Sequence, residues 1–449
     1  MQATQTHIIE KRAGVRWRRV YASVILFAAV GIALGGCNRD SQVSADGRKQ
    51  VRFLIMLLST QLNEHYKWVE QTFEERNPDI DLVVQQFPGS SLKDYEIKLR
   101  LQFSSRRAPD VFGIQQTPMS DLARLGLLDP APADMVRFIE ENSRTEMIRE
   151  SAYIDGVAYG PVTDASPTVL YYNKDMFREA GLDPERPPET WEELVEYADR
   201  LTVRRPDGTP IRAGLSLRKT GFKAGTAEKW FTFLYSAGGR AFTEGGTASA
   251  FNSEAGRKAI NLYKTILFDK RIDATEVEGD QSGFARGTTA MFIREVHIMR
   301  WLAENYPNLD YGVANLPGGP LSISAGGGYL FVVSGDSPHK DESWRFIEFL
   351  MSDEVYKRYA AIGGVIPTTK SVGDLPEYRD DPQIRVFVDQ ELKALEPFPR
   401  LQRAAEIIGE HIERFCYGYE TAEEFLERAA ADVDAYLAVN AEEAQRKQP

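Results

Sequence analysis

Residues 155–194 read DGVAYGPVTDASPTVLYYNKDMFREAGLDPERPPETWEEL, and this stretch decides the fold class. Asp155-Gly156 is a turn dipeptide. Tyr159-Gly160-Pro161 reads as extended, because the residue before a proline avoids the helical region and proline itself has no N–H to continue a helix. Thr168 to Tyr172 is β-branched and aromatic, which is a strand signature. Lys174 to Ala180 has the length and composition of a short helix, and Gly181 supplies the left-handed residue that ends it. Pro187-Pro188 keeps the chain extended. Thr190 then opens a second helix, with Glu193 three residues on as in a capping box. The unit is a chain crossing followed by the founding strand and helix of a new lobe.

Working outward, strand and helix signals alternate on both sides. Val51 to Leu57 is an apolar strand, and Leu62, Tyr66, Val69 and Phe73 recur at helical spacing. Ile80 to Gln85 is a second strand and Asp110 to Ile114 a third, with a helix over Leu92 to Phe103 between them. This β-α-β-α-β order predicts a mostly parallel, doubly wound sheet. After residue 194 come helices near Ala227 to Gly238 and Ser253 to Phe268, then strands at Thr289 to Ile293, Tyr311 to Ala314 and Tyr329 to Val333. From Lys340 onward the chain is almost all helix. Two breaks, Tyr159 to Asp164 and Leu316 to Pro320, divide the chain into two α/β lobes joined by several strands. The expected division is 50–161 with 318–365 for one lobe and 162–317 with 366–440 for the other, followed by a tail over 441–449. A ligand cleft is expected between the lobes, beyond the carboxyl ends of their strands, with closure by hinge bending.

The chain has 449 residues, enough for two domains, and 43% of them are hydrophobic, enough for full cores. Lys11, Arg12, Arg16, Arg18 and Arg19 precede an apolar run from Val20 to Leu34, too short to span a bilayer and typical of a secretory signal. Leu34-Gly35-Gly36-Cys37 resembles the bacterial lipobox, which implies cleavage before Cys37, lipidation of its thiol and residence at the membrane on the periplasmic or outer face. Residues 38–49 are then a polar tether. The second cysteine, Cys416, lies in an apolar helical pattern, so the exported domain is expected to be held by its core without disulfides. The net charge is −12, and residues 1–37 contribute five basic and one acidic residue, so the remainder carries −16. That balance argues against nucleic acid or an anionic membrane surface as a partner.

Catalytic signatures are weak. No G-x-S-x-G, H-E-x-x-H, G-x-x-x-x-G-K or G-x-G-x-x-G occurs, and the two cysteines cannot build a cysteine-based metal site. Neither a metal nor a cofactor is expected. The stronger pattern is polar and aromatic residues at strand ends and crossings: Gln61, Asp110, Gln115, Asp164, Tyr172, Trp230, Arg294, His297, Gly328 and Tyr329. Sugar recognition needs this mix, since hydroxyls pair with carboxylates, amides and guanidinium groups while the apolar face of a pyranose packs on an aromatic ring.

These residues carry a family resemblance over nearly the whole mature chain. Ala108-Pro109-Asp110-Val111, Asp155-Gly156 through Tyr159-Gly160-Pro161, Leu170 to Asp175 (LYYNKD), Ala180-Gly181, Pro188 to Leu194, Phe284 to Met291 and Gly363 to Pro367 resemble, in order and spacing, the motifs of the family 1 extracellular solute-binding proteins of bacterial ABC importers, the group that includes the maltose-binding protein. The resemblance implies the two-lobed type II periplasmic-binding-protein fold and a monomeric, non-enzymatic binder that delivers a carbohydrate or polyol to permease subunits. It further implies that Asp110 bonds sugar hydroxyls, that Asp164 lies at the crossing and that Tyr172 faces the ligand. The chain departs from the pattern at Arg294-Glu295-Val296-His297, where His297 stands in place of a stacking tryptophan. Here Arg294 either meets an acidic or smaller ligand or pairs with Glu295. An exported carbohydrate-active enzyme, a binder of a polyamine or phosphorylated polyol, and a sensor that keeps the fold remain as alternatives.

Overall fold

The computed structural model describes residues 43–57, 60–88, 92–164, 167–326, 328–394 and 401–446. The expectations for the signal, for Cys37 and for the last three residues of the tail fall outside these residues.

The first lobe begins with β1 (Lys49–Leu57), α1 (Thr60–Arg76), β2 (Ile80–Pro88), α2 (Leu92–Ser104), β3 (Val111–Gln115) and α3 (Gln116–Arg124). β1 pairs in parallel with both β2 and β3, as the β-α-β-α-β pattern predicts. A central strand of a parallel sheet is covered on both faces, and Val51, Phe53, Leu54 and Ile55 of β1 are accordingly all buried. The sheet then takes β4 (Val162–Asp164) at its edge.

The second lobe starts with β5 (Val169–Asn173) and α4 (Lys174–Glu179), and continues with α5 (Trp191–Leu201), α6 (Lys223–Ser236), α7 (Glu254–Lys264), α8 (Asp280–Arg286), β6 (Met291–Arg294), α9 (His297–Asn305), β7 (Tyr311–Ala314) and β8 (Ile323–Gly326). β5 runs antiparallel to β6 on one side and to β7 on the other. The local signals of the opening stretch act as read. Asn173 Oδ1 accepts from Met176 N (2.9 Å) to start α4, Gly181 ends it at φ 66°, and Thr190 Oγ1 accepts from Glu193 N (3.1 Å) to start α5. The Glu193 carboxylate reaches one residue further back than a capping box requires and accepts from Glu189 N (2.9 Å).

The chain returns to the first sheet as β9 (Tyr329–Val333), antiparallel to β3 and β4, and continues through α10 (Lys340–Leu350) and α11 (Asp353–Gly363). It crosses again through α12 (Pro382–Asp389) and β10 (Glu391–Ala394), which pairs with β8, and ends in α13 (Leu401–Cys416) and α14 (Ala422–Arg446).

Three apolar cores follow. One lies between the first sheet and its helices, with Phe53, Phe112, Phe331 and Phe346 at its centre. A second packs α6, α7, α13 and α14 on one face of β5, around Trp230, Phe251 and Phe425. A third, with Tyr171, Phe284, Phe292 and Phe387, covers the opposite face. Each buried large side chain contributes roughly 1.5–3 kcal/mol of transfer free energy.

The crossings differ from those expected. β4 belongs to the first sheet, so the chain leaves that lobe after Asp164 rather than at 162. Leu316 to Pro320 is no crossing: Gly318 N donates to Glu189 O (2.8 Å) and Trp191 N to Gly318 O (3.0 Å), which ties the segment to the start of α5 inside the second lobe. The return comes between β8 and β9. Residues 366–440 are likewise not all in the second lobe, because Val372 and Tyr378 pack in the first core while Ile366 and Phe387 pack in the third. The crossings are stitched by buried hydroxyls. Tyr356 Oη donates to Thr163 O (2.8 Å) and accepts from Thr368 N (2.8 Å). Thr168 N donates to Ser324 Oγ (2.8 Å).

Candidate functional site

Two walls face the crossings. The first-lobe wall is the carboxyl edge of its sheet, where Tyr329 pairs with Gln115 on one side and Asp164 on the other. Gln61 lies at the same end of the sheet, exposed in the first turn of α1. Gln116 N donates to Gly328 O (2.9 Å), which joins α3 to the start of β9. Gly328 is buried because Val162 crosses it, and a Cβ there would lie 2.7 Å from Val162 Cγ1. Tyr329 folds back over Gly113, so its hydroxyl points toward Tyr95 and only its ring can be offered outward. Asp164 is half-buried, and its Oδ1 is buried without a hydrogen-bond partner among the described residues, as is Gln116 Oε1. Burial, reinforced by the Glu295 charge, pushes the Asp164 carboxyl up to about 7.

The second-lobe wall is charged. β6 delivers Arg294, the chain runs on through Glu295, and α9 opens at His297. Arg294 Nη1 donates to both carboxylate oxygens of Asp280 (2.8 and 2.6 Å), and Arg294 Nε donates to Glu295 Oε2 (3.0 Å). Lys229, on the second turn of α6 and 5% exposed, is ion-paired to Glu295 Oε1. Tyr171 Oη donates to Glu295 O (2.8 Å) and so fixes the backbone of this turn. Burial alone would raise the Glu295 carboxyl, but Lys229 and Arg294 outweigh it and hold it well below the usual range. His297 reaches solvent, yet burial by the surrounding protein disfavours its imidazolium, with Arg294 and Lys229 adding to that effect and Glu295 opposing it. Exposure combined with desolvation is what a concave wall produces. Glu228, one residue before Lys229, is half-buried, and burial raises its carboxyl. Neither Glu228 nor half-buried Arg218 forms a hydrogen bond or ion pair of its side chain with any described residue. The Arg218 guanidinium lies against the first turn of α6 at Gly225 and acts on Glu228 through its charge.

Three expected ligand contacts are corrected. Asp110 is fully buried at the opposite end of β3, where its Oδ2 accepts from Arg52 N (2.9 Å) and its Oδ1 from Ser337 Oγ (2.8 Å); it has no capacity left for a sugar. Trp230 is also fully buried, edge-on to Phe251 and Phe425. Tyr172 is 4% exposed, tilted against Phe177 at the far end of β5 from Arg294. The strand alternation of Tyr171 and Tyr172 is real, but both faces are core. The residues missed from sequence are Glu228, Lys229, Glu295, Asp280 and Arg218. One signal for them was present: Glu228-Lys229 interrupts the otherwise apolar helix KAGTAEKWFTFLYS.

Asp164 makes a pH prediction. Its folded-state value of about 7 lies above the ordinary 3.8. Between those values the native state holds a proton that the unfolded chain has lost, so stability falls as pH rises through that window, by at most ~1.4 kcal/mol per pH unit. Glu96, pushed up to about 7 by burial, acts with the same sign. Asp164→Asn should flatten the slope of unfolding free energy between about pH 5 and 7, measured by urea titration; an unchanged slope would place the titration elsewhere.

Two α/β lobes with separate cores, several crossings and polar walls at the strand ends are the architecture of a cleft-type binding protein. Residues 62–357 match the model for the family described as bacterial extracellular solute-binding protein, and the chain belongs to that family. A putative binding protein of Brucella abortus (strain 2308) is 25% identical over 417 residues, 90% of this chain and 97% of that one. The sn-glycerol-3-phosphate-binding periplasmic protein of Escherichia coli (strain K12) is 27% identical over 283 residues, 52% of this chain and 61% of that one. Among solved structures, an ABC transporter solute-binding protein from Thermotoga lettingae bound with alpha-D-tagatose superposes with a TM-score of 0.73 at 26% identity, covering 87% of this chain and all of that one. The sugar-binding protein MalE of Xanthomonas citri (TM-score 0.75, 24% identity, 89% of this chain and all of that one) confirms the fold. Among the described residues no group of three or more His, Cys, Asp or Glu side chains is placed to hold a metal, and no helix is long and apolar enough to cross a membrane.

Proposed function

We propose that the protein captures a carbohydrate or related polyol between its lobes and passes it to an ABC permease, acting by binding and release rather than catalysis. In this reading it works as a monomer, anchored through a lipid on Cys37. One observation carries the ligand class: polar groups of both lobes converge at the crossings, and on the second-lobe wall the cations are already paired to carboxylates. Such a wall keeps donors and acceptors oriented for hydroxyl groups without presenting a large net charge. Arg294 in particular is committed to Asp280 and Glu295, so it does not offer a free guanidinium to an acidic ligand. With Trp230 in the core, hydrogen bonds rather than stacking on that ring supply most of the recognition. The solute-binding relatives above support the reading, the Thermotoga protein with its bound ketohexose most directly.

Thermal denaturation against a library of sugars and polyols tests it. A true ligand at 100 times its dissociation constant should stabilise the protein by about 2.7 kcal/mol. The absence of a shift with every sugar and polyol would overturn the carbohydrate assignment. A second reading, a phosphorylated polyol, is favoured by the Arg218 guanidinium, which acts on Glu228 by charge but is bonded to no described residue, and by the Escherichia coli relative. Its arm of the experiment is sn-glycerol 3-phosphate, and a shift with that compound alone would select it.

A further inference from the structure

The charges of the site do not balance, and the imbalance sits at one residue. Lys229, Arg294 and Arg218 provide three cations, while Glu295, Asp280, Glu228 and Asp164 provide four carboxyl groups. Lys229 and Arg294 are bonded to Glu295, Arg294 also to Asp280, and the charges of Lys229 and, less strongly, Arg218 act favourably on Glu228. Among the described residues no cation is paired with Asp164. Its Oδ1 is buried and makes no hydrogen bond to any described residue, and the neighbouring charge that acts on it is the carboxylate of Glu295 from the other lobe. Tyr356 and Tyr359 stand close enough for their phenols to sense Asp164, but they bring no positive charge. Gln116 Oε1 adds a second buried, unpartnered acceptor on the same sheet edge. The unmet buried groups of the first-lobe wall are thus Asp164 Oδ1, Gln116 Oε1 and the Tyr329 hydroxyl; only Asp164 among them can carry a charge, and a carboxylate oxygen that is buried alone is costly unless a cation or proton joins it.

We infer that the solute carries a protonated amine beside its hydroxyls, an amino sugar or amino polyol, with the ammonium seated against Asp164. The ammonium supplies the missing charge and up to three donors. It would also screen Asp164 from Glu295 as the lobes approach, so that the amine favours the closed form over the open one.

This inference rests on the carbohydrate reading, and the experiment separates the two. The intact mature protein is titrated calorimetrically near pH 7 with matched pairs: D-glucosamine and D-glucose, D-galactosamine and D-galactose, D-mannosamine and D-mannose. D-glucuronate and sn-glycerol 3-phosphate serve as anionic arms. In any pair that binds, the amine should bind at least about tenfold more tightly. Asp164→Asn, which removes the charge while keeping the side-chain shape, should abolish the preference, so that the amine and its neutral partner bind within about threefold of each other. Glu228→Gln, at a carboxyl that already has the Lys229 and Arg218 charges acting on it, should retain the preference. Equal or tighter binding of the neutral partner, tightest binding of an anion, survival of the preference in Asp164→Asn, or its equal loss in Glu228→Gln would each overturn the amine assignment alone. Failure of every sugar, amine or not, would overturn the carbohydrate reading with it.

Discussion

Replacing Trp230 with alanine should lower the unfolding free energy by about 4 kcal/mol while leaving the affinity of the folded protein for its solute nearly unchanged. The indole is fully buried and meets Phe425 and Phe251 edge-on at centroid distances of 5.1 and 5.8 Å, with Phe231 at 6.0 Å. It thereby clamps α6 to α14 and to the loop before α7, so truncation leaves a cavity whose walls belong to three separate elements and cannot easily collapse. Trp230→Phe should cost much less. It keeps most of the apolar contact and removes Nε1–H, which is buried without a partner and carries a desolvation cost of roughly 1–3 kcal/mol. Urea unfolding gives the stability change, and calorimetric titration with whichever sugar shifts the melting temperature gives the affinity. A fall in affinity of tenfold or more with stability intact would return Trp230 to the site.

The fold was legible where local chemistry and tertiary packing agree. The apolar run of β1, the helical spacing of Leu62, Tyr66, Val69 and Phe73, the Asn173 and Thr190 caps and the Gly181 terminator all act as their residue types dictate. The crossings were less legible, because a Pro-Gly cluster signals only that regular structure stops. Leu316 to Pro320 stops it in order to pack on the start of α5, and the change of lobe comes later, next to another glycine cluster at 326–328. Likewise Tyr159 to Pro161 looks like a lobe boundary, but Phe331 N donates to Pro161 O (3.4 Å) within the first lobe. Which partner a broken segment finds is a long-range fact that spacing does not contain.

The site was legible in outline and misread in detail for a physical reason. Motif matching singles out the most distinctive side chains, and in this chain Asp110, Tyr172 and Trp230 are distinctive because they are structural. Asp110 ties β1 to the loop after β9 through Arg52 and Ser337, and the two aromatics fill cores. The chemistry lies one residue away from Trp230, at Lys229, because a shift of one position on a helix turns a side chain by about a quarter of the circumference. At 294–297 the departure from the family pattern was the better guide. Of the two readings of Arg294, pairing with Glu295 is the one found, at 3.0 Å, with Asp280 as an additional partner.

Glu295→Ala should have an effect as large as that of Trp230→Ala, but with affinity lost as well. Glu295 accepts from Lys229 and Arg294, and Lys229 is only 5% exposed. Removing the carboxylate leaves the Lys229 ammonium buried without a partner, which costs about 3–5 kcal/mol, whereas Arg294 keeps Asp280. The Lys229 side chain is 6% exposed and that of Glu295 23%, so raising the ionic strength should change this cost less than it would for an exposed pair. The expected loss of affinity is at least about tenfold, one charged hydrogen-bonding group being worth roughly 1.5–3 kcal/mol. Stability and binding are separated by the double variant Lys229→Met with Glu295→Gln. It removes both charges together, and a buried ion pair replaced by groups of similar volume is often neutral for stability. The double variant should therefore unfold within about 1 kcal/mol of the wild type and still bind its solute weakly. If it regained full affinity along with stability, Lys229 and Glu295 would serve only to hold α6 against the end of β6, and recognition would rest on the first-lobe edge around Asp164.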